Sequence, residues 1–149
     1  MAILHLGVVD VPYANRPGRR RKVSGTQTTG DVAGFLENRY HVMEHFFQLY
    51  QDQIGQDLAD AMQGALENLF AGGPASAPPL TGATSKIEDA FKNMLATKEL
   101  ERLGYPGIPT KAALRGVSHR FKRPYQRRAA RPSFIDTGLY QASFKAWVD

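Results

Sequence analysis

Val32, Leu36, Tyr40, Met43, Phe47, Tyr50, Ile54, Leu58, Met62, Ala65 and Leu69 recur every three or four positions. That spacing is one apolar stripe of an amphipathic helix. Unbroken, it would run about 58 Å at 1.5 Å per residue. Gly55 and Gly64 each cost ~1 kcal/mol relative to alanine, so a kink or break is expected near Gly55. A helix of this length exceeds what a globule of 149 residues needs. It implies a partner along part of its surface.

The rest of the chain is read around that helix. Ile3 to Val11 is β-branched and apolar, a strand ended by Pro12. Residues 13–29 form an extended basic arm of Pro, Gly, Arg, Ser and Thr. Thr28 or Thr29 offers the cap of the long helix, with Asp31 in its first turn. Residues 71–82 read as a Gly/Pro/Ala linker. Ser85 with Glu88 makes a capping box for a second helix, whose stripe is Ile87, Phe91, Met94, Leu95 and Leu103 with Gly104 as its stop. Tyr105 to Pro109 is a stiff turn. Thr110 caps a third, shorter helix with Ala113, Leu114, Val117 and Phe121 on one face. Prolines keep Arg123 to Pro132 extended. Asp136 or Thr137 caps a last helical turn, and Phe144 to Val148 is a strand. These elements predict one α+β domain over residues 1–149. It is helix-dominated, with a small sheet made from the N- and C-terminal strands.

Charge is distributed in blocks. Arg16, Arg19, Arg20, Arg21 and Lys22 form a first basic cluster. From Asp31 to Glu67 seven acids face the single base Arg39. From Lys111 to Arg131 eight bases, including Arg115, Arg120, Lys122, Arg127 and Arg128, run without an acid. Such one-sign runs repel themselves and call for polyanion, acidic protein or water around them. Identical copies arranged head-to-tail satisfy them between subunits, and that arrangement closes rings. Hydrophobic content of 42% argues against wholesale disorder. No apolar run approaches a membrane span, and the N-terminus lacks a signal-peptide pattern. The absence of cysteine excludes disulfides and thiolate metal sites.

Two motifs suggest enzymes. His41-Val-Met-Glu44-His45 matches the inverted zinc-protease pattern, two imidazoles a helical turn apart with a carboxylate as base. That chemistry also needs a third ligand and a cleft, and the polar side of a helix accounts for the same residues. Asp136-Thr137-Gly138 resembles the aspartic-protease loop, in which two carboxylates share a proton. The eleven residues after Gly138 are expected to leave no room for the flap and second sheet of such a protease. A turn is the simpler reading. The expectation is therefore a chain that is not an enzyme, with no cofactor, metal or catalytic residue.

Gly7-Val-Val-Asp-Val-Pro-Tyr13, Thr28-Thr-Gly-Asp-Val-Ala33 with Leu36, Glu37 and Tyr40, and Arg131-Pro-Ser-Phe-Ile-Asp-Thr-Gly-Leu-Tyr-Gln-Ala-Ser143 resemble segments of tailed-phage neck proteins. In the tail-completion and virion-morphogenesis group, an apolar residue precedes Asp-Thr-Gly and a Ser follows. Here Ile135, Asp136, Thr137, Gly138, Tyr140 and Ser143 stand at those positions. The resemblance implies a structural ring at the neck of a virion, made in the host cytoplasm, joining the DNA-filled head to the tail. It implies six copies rather than twelve, contacts with neighbouring neck, portal or tail proteins, genomic DNA in the lumen and no membrane. On that reading Arg19, Arg20, Arg21, Arg127, Arg128, Arg131, Asp57 and Asp60 are interface candidates. Lys111, Arg115, Arg120 and Lys122 are candidates for the DNA channel, and Asp136, Thr137 and Gly138 form a structural turn. The alternative is a small basic protein that binds duplex DNA without sequence specificity.

Overall fold

The computed structural model describes residues 2–13, 27–74, 80–118, 123 and 125–149. The element order is β1 (Leu4–Val8), α1 (Thr29–Tyr40), α2 (Val42–Phe70), α3 (Thr81–Ala96), α4 (Glu99–Arg102), α5 (Lys111–Arg115), α6 (Leu139–Ser143) and β2 (Phe144–Val148). The fold is α+β and helix-dominated. Its sheet pairs the first and last strands antiparallel, from Leu4 opposite Val148 to Val8 opposite Phe144.

β2 alternates as its sequence demands. Phe144 and Ala146 point inward and are buried, while Lys145 and Trp147 face out. Its inner face lies on α3, whose Ala83, Ile87, Phe91, Met94 and Leu95 form the buried side. α2 packs across the same helix through Phe46 and Ile54. The centre of the core is aromatic. Phe91 stacks on Phe144 at 3.8 Å between ring centroids and meets Phe46 and Tyr140 edge-on.

The long apolar stripe is broken, but not at Gly55. α2 runs through Gly55 and Gly64 without interruption, and the break falls at His41, which adopts a left-handed conformation with φ 51°. Packing of Ile54 and Leu58 against the core outweighs the glycine cost at position 55. At the break, Glu37 reaches forward from α1. Its carboxylate accepts from the Met43 N–H at 2.8 Å and the Glu44 N–H at 3.1 Å, two groups the new helix start leaves unpaired. Glu37→Ala is expected to cost ~1–2 kcal/mol of unfolding free energy, as for a lost N-cap. Glu37→Gln keeps one acceptor and should lose about half as much. Urea unfolding of the two variants measures this, and equal losses would show that the carboxylate acts by charge alone.

The start of α1 follows the sequence closely. Thr28 caps it by accepting from Asp31 N–H, and Asp31 returns a bond to the Thr28 N–H. The base of the arm is closed: Pro12 bridges Thr28, and the Tyr13 N–H donates to Gln27 O at 3.0 Å. The Asp10 carboxyl beside it is held below the usual range, first by Thr28 and then by the Gly30 N–H. The arm between, residues 14–26, lies outside the described residues.

Three local expectations need correction. The linker is shorter than 71–82, because α3 begins at Thr81. Ser85 is therefore inside the helix, and no capping box forms with Glu88. Glu88 is drawn away by a distant strand, accepting from Lys145 Nζ at 2.9 Å and from the Ala146 N–H at 3.3 Å on the open edge of β2. The second helix also stops early, at Ala96. Leu100 of α4 then takes the buried place expected of Leu103, which is about half exposed. In the third helix Thr110 does cap, accepting from the Ala113 N–H at 3.2 Å. But α5 ends after five residues, leaving Leu114 exposed. Gly116 ends it with φ 63°. The approach of Ala129 and Arg128 there leaves no room for a Cβ.

Candidate functional site

The Asp-Thr-Gly segment lies beside a cavity of about 590 Å³. α1 supplies Val32, Phe35, Leu36 and Tyr40, the stretch around α5 supplies Val117 and Ser118, and the segment from Arg131 to Tyr140 closes the other side. Hydrogen bonds hold this last segment. Arg131 donates one guanidinium nitrogen to Ile135 O at 2.8 Å and another to Val117 O at 3.1 Å. The Ser118 hydroxyl donates to Asp136 at 2.8 Å. The Ser133 N–H donates to Glu101 at 2.7 Å, while the Ser133 hydroxyl accepts from the Thr110 N–H. The turn itself is made by Gly138 at φ 79°, which precedes α6.

Asp136 is thus not a helix cap. Gly138 takes that position, and Thr137 accepts from the Leu139 N–H at 3.2 Å. Asp136 instead joins the Arg131 segment to Ser118. Among the described residues lining the cavity it is the sole carboxylate, so the proton-sharing pair of an aspartic protease is not assembled within one chain. The Tyr140 hydroxyl is buried without a hydrogen-bond partner. Burial pushes its phenol pKa up, with Glu37 adding to the effect, and Tyr13 at the cavity is raised by burial and Asp136.

His41, Glu44 and His45 do not converge as metal ligands. His41 sits at the helix break with Nδ1 3.0 Å from Glu44 Oε2, whereas His45 turns away and stacks on Tyr105 at 3.6 Å. The three groups that do come together are Glu37, His41 and Glu44, with ligand atoms within 4.8 Å of one another. Both oxygens of Glu37 are already occupied as the cap of α2.

The remaining candidates are surface charges. α2 contains no Lys or Arg. Its Asp57 is largely covered and paired with Lys86 at 3.2 Å, so it ties α2 to α3 within the subunit. Asp60 and Glu67 are exposed, and their carboxylates accept from Gln56 and Gln63 one turn before them. Between and beyond them the helix leaves the core, and Met62, Leu66, Leu69 and Phe70 are 54%, 52%, 53% and 86% exposed. On the basic side, Lys111, Arg115 and Arg127 are exposed. The chain from Arg128 to Arg131 is laid along α5 by bonds from the Arg128 N–H to Arg115 O and from the Arg131 N–H to Ala113 O. Arg128 also donates to Arg123 O and Gln126 O. Arg131 is only a quarter exposed. Arg19, Arg20, Arg21, Arg120 and Lys122 lie outside the described residues.

No family model, curated protein or solved structure matches the chain. Among the described residues no helix is long and apolar enough to cross a membrane.

Two features of this surface escaped sequence reasoning. The apolar end of α2 was visible as a continued stripe, but periodicity does not reveal which part of it the rest of the described chain leaves exposed. The cavity had no sequence signal, because its walls come from four separated segments.

Proposed function

We propose that this chain is a non-enzymatic structural component of a tailed-phage neck, assembling as a ring that joins the DNA-filled head to the tail. The observation that carries the ring is α2. Its last turns leave the core with four large apolar side chains exposed and acidic charge only, while the surface around α5 is basic. An isolated subunit gains nothing from exposing such a surface, whereas a neighbour covers it. The neck location comes from the likeness of the Arg131–Ser143 segment to tail-completion proteins. Six copies, and contact with portal or tail proteins, follow from the same likeness.

Arg128 and Arg131 donate within the subunit, so among the described basic candidates Lys111, Arg115 and Arg127 are left to face a partner or DNA. Exposed pairs contribute only ~0.2–1 kcal/mol each, so single reversals are expected to be mild. Reversing all three to glutamate in a phage that carries this chain should leave filled heads and tails that fail to join, seen by electron microscopy of lysates. Normal joining with a changed DNA-retention phenotype would place these charges at the channel instead. The duplex-binding alternative predicts binding by the monomer with a steep salt slope, lost in the triple variant.

A further inference from the structure

The exposed end of α2 and the open cavity beside Asp136 are two apolar surfaces of one chain, the first flanked by acids and the second adjoined by the basic helix α5. Met62, Leu66, Leu69 and Phe70 form the first, flanked by Asp60 and Glu67 with no base on the helix. The second has apolar walls from Val32, Phe35, Leu36, Val117 and Phe134, and Phe35 at its edge is 58% exposed. Arg131 and Asp136 line it together and offset each other, so its basic side comes from Lys111 and Arg115 on the short helix that adjoins it. Its volume of about 590 Å³ falls in the range of sites that enclose apolar groups.

The two surfaces cannot meet within one subunit. The cavity includes Tyr40, one residue before the break that starts α2, whereas Phe70 ends that helix. A continuous helix of 29 residues separates its ends by about 40 Å. We infer that the end of α2 from one copy, Met62 to Phe70, inserts its apolar side chains into the cavity beside Phe35 on the next copy. The acids Asp60 and Glu67 then face Lys111 and Arg115 of that neighbour. The occupant is a second copy because both halves, apolar and charged, are present on this chain in complementary form. Contact between two different patches is head-to-tail, and its repetition closes a ring. This deepens the ring reading above and rests on it.

The contact predicts an unusual mixing result. Leu66→Asp removes the inserting surface and leaves the cavity intact, while Phe35→Glu does the reverse. Both residues are more than half exposed, so both variants should fold and keep the helical content of the parent. By native mass spectrometry the parent should form a closed oligomer and each variant alone should be a monomer. Mixed one to one, the variants should form a heterodimer and nothing larger, since a single sound interface remains. As an independent measure, Leu66→Cys with Phe35→Cys in one otherwise cysteine-free chain should oxidise to a ladder of covalent multimers ending at the copy number of the ring. If both charge variants retain the parental oligomer, or the cysteine pair gives no ladder while the oligomer persists, this contact is overturned and the ring stands. If the parent stays monomeric, both fall.

Discussion

Phe91→Ala is expected to destabilise the protein by ~3–5 kcal/mol, the range for removing a fully buried aromatic side chain. For a chain of this size that corresponds to a fall in Tm of roughly 10 °C. Phe91 is completely buried, stacks on Phe144 and touches Phe46 and Tyr140 edge-on, so one truncation leaves three rings facing a void. Those rings belong to α2, α6 and β2, and none of them can close the gap without moving the others. Phe35→Ala removes the same atoms from an exposed site and should change stability by less than ~0.5 kcal/mol. Thermal unfolding of the pair decides the matter. A small loss at Phe91 would mean that the aromatic cluster is not the centre of the core.

Arg131→Ala is expected to cost ~2–3 kcal/mol, unlike the exposed bases of the same run. The guanidinium bonds Ile135 O and Val117 O at once, and removing it strands two partly buried acceptors. Asp136, 3.8 Å from Nε, loses that cation in the same step. Lysine should rescue little, because a single ammonium cannot reproduce a fork aimed at two carbonyls. Arg127→Ala, at an exposed residue of the same run, should leave unfolding unchanged within ~0.5 kcal/mol. If the two alanine variants unfold alike, Arg131 is a surface charge and the turn is held by its backbone alone. The contrast also separates folding from assembly: a joining defect at Arg127 without a fall in Tm points to a contact between subunits.

Placement of Arg131 shows where sequence reading stops. Within the run from Lys111 to Arg131 all the bases look equivalent, and a one-sign block reads as a surface. What singles out Arg131 is its position opposite the end of α5, set by the Arg128–Ala129 approach to Gly116. Asp57 is a similar case. It appears as one of seven acids in a row, yet α3 brings Lys86 onto it and makes it an internal tie.

Elements governed by short-range physics were legible. The cap at Thr28, with Asp31 in the first turn, and the cap at Thr110 each involve residues three apart. The alternation of Phe144 to Val148 needs only the two-residue period of a strand. Even the pairing of the first and last strands followed from there being only two apolar strand candidates. By itself, then, the sequence determined the helix-dominated class, the terminal sheet and these helix starts, because caps and periodicities are settled within one or two turns of chain. Tertiary structure decided the rest. It let α2 pass through Gly55, because burial of Ile54 and Leu58 outweighs a propensity cost of ~1 kcal/mol. It drew Glu88 from an expected cap to a strand edge 57 and 58 residues away. It also set the apolar end of α2 and the cavity at opposite ends of a rigid helix, a relation between segments far apart in the chain that no local pattern encodes.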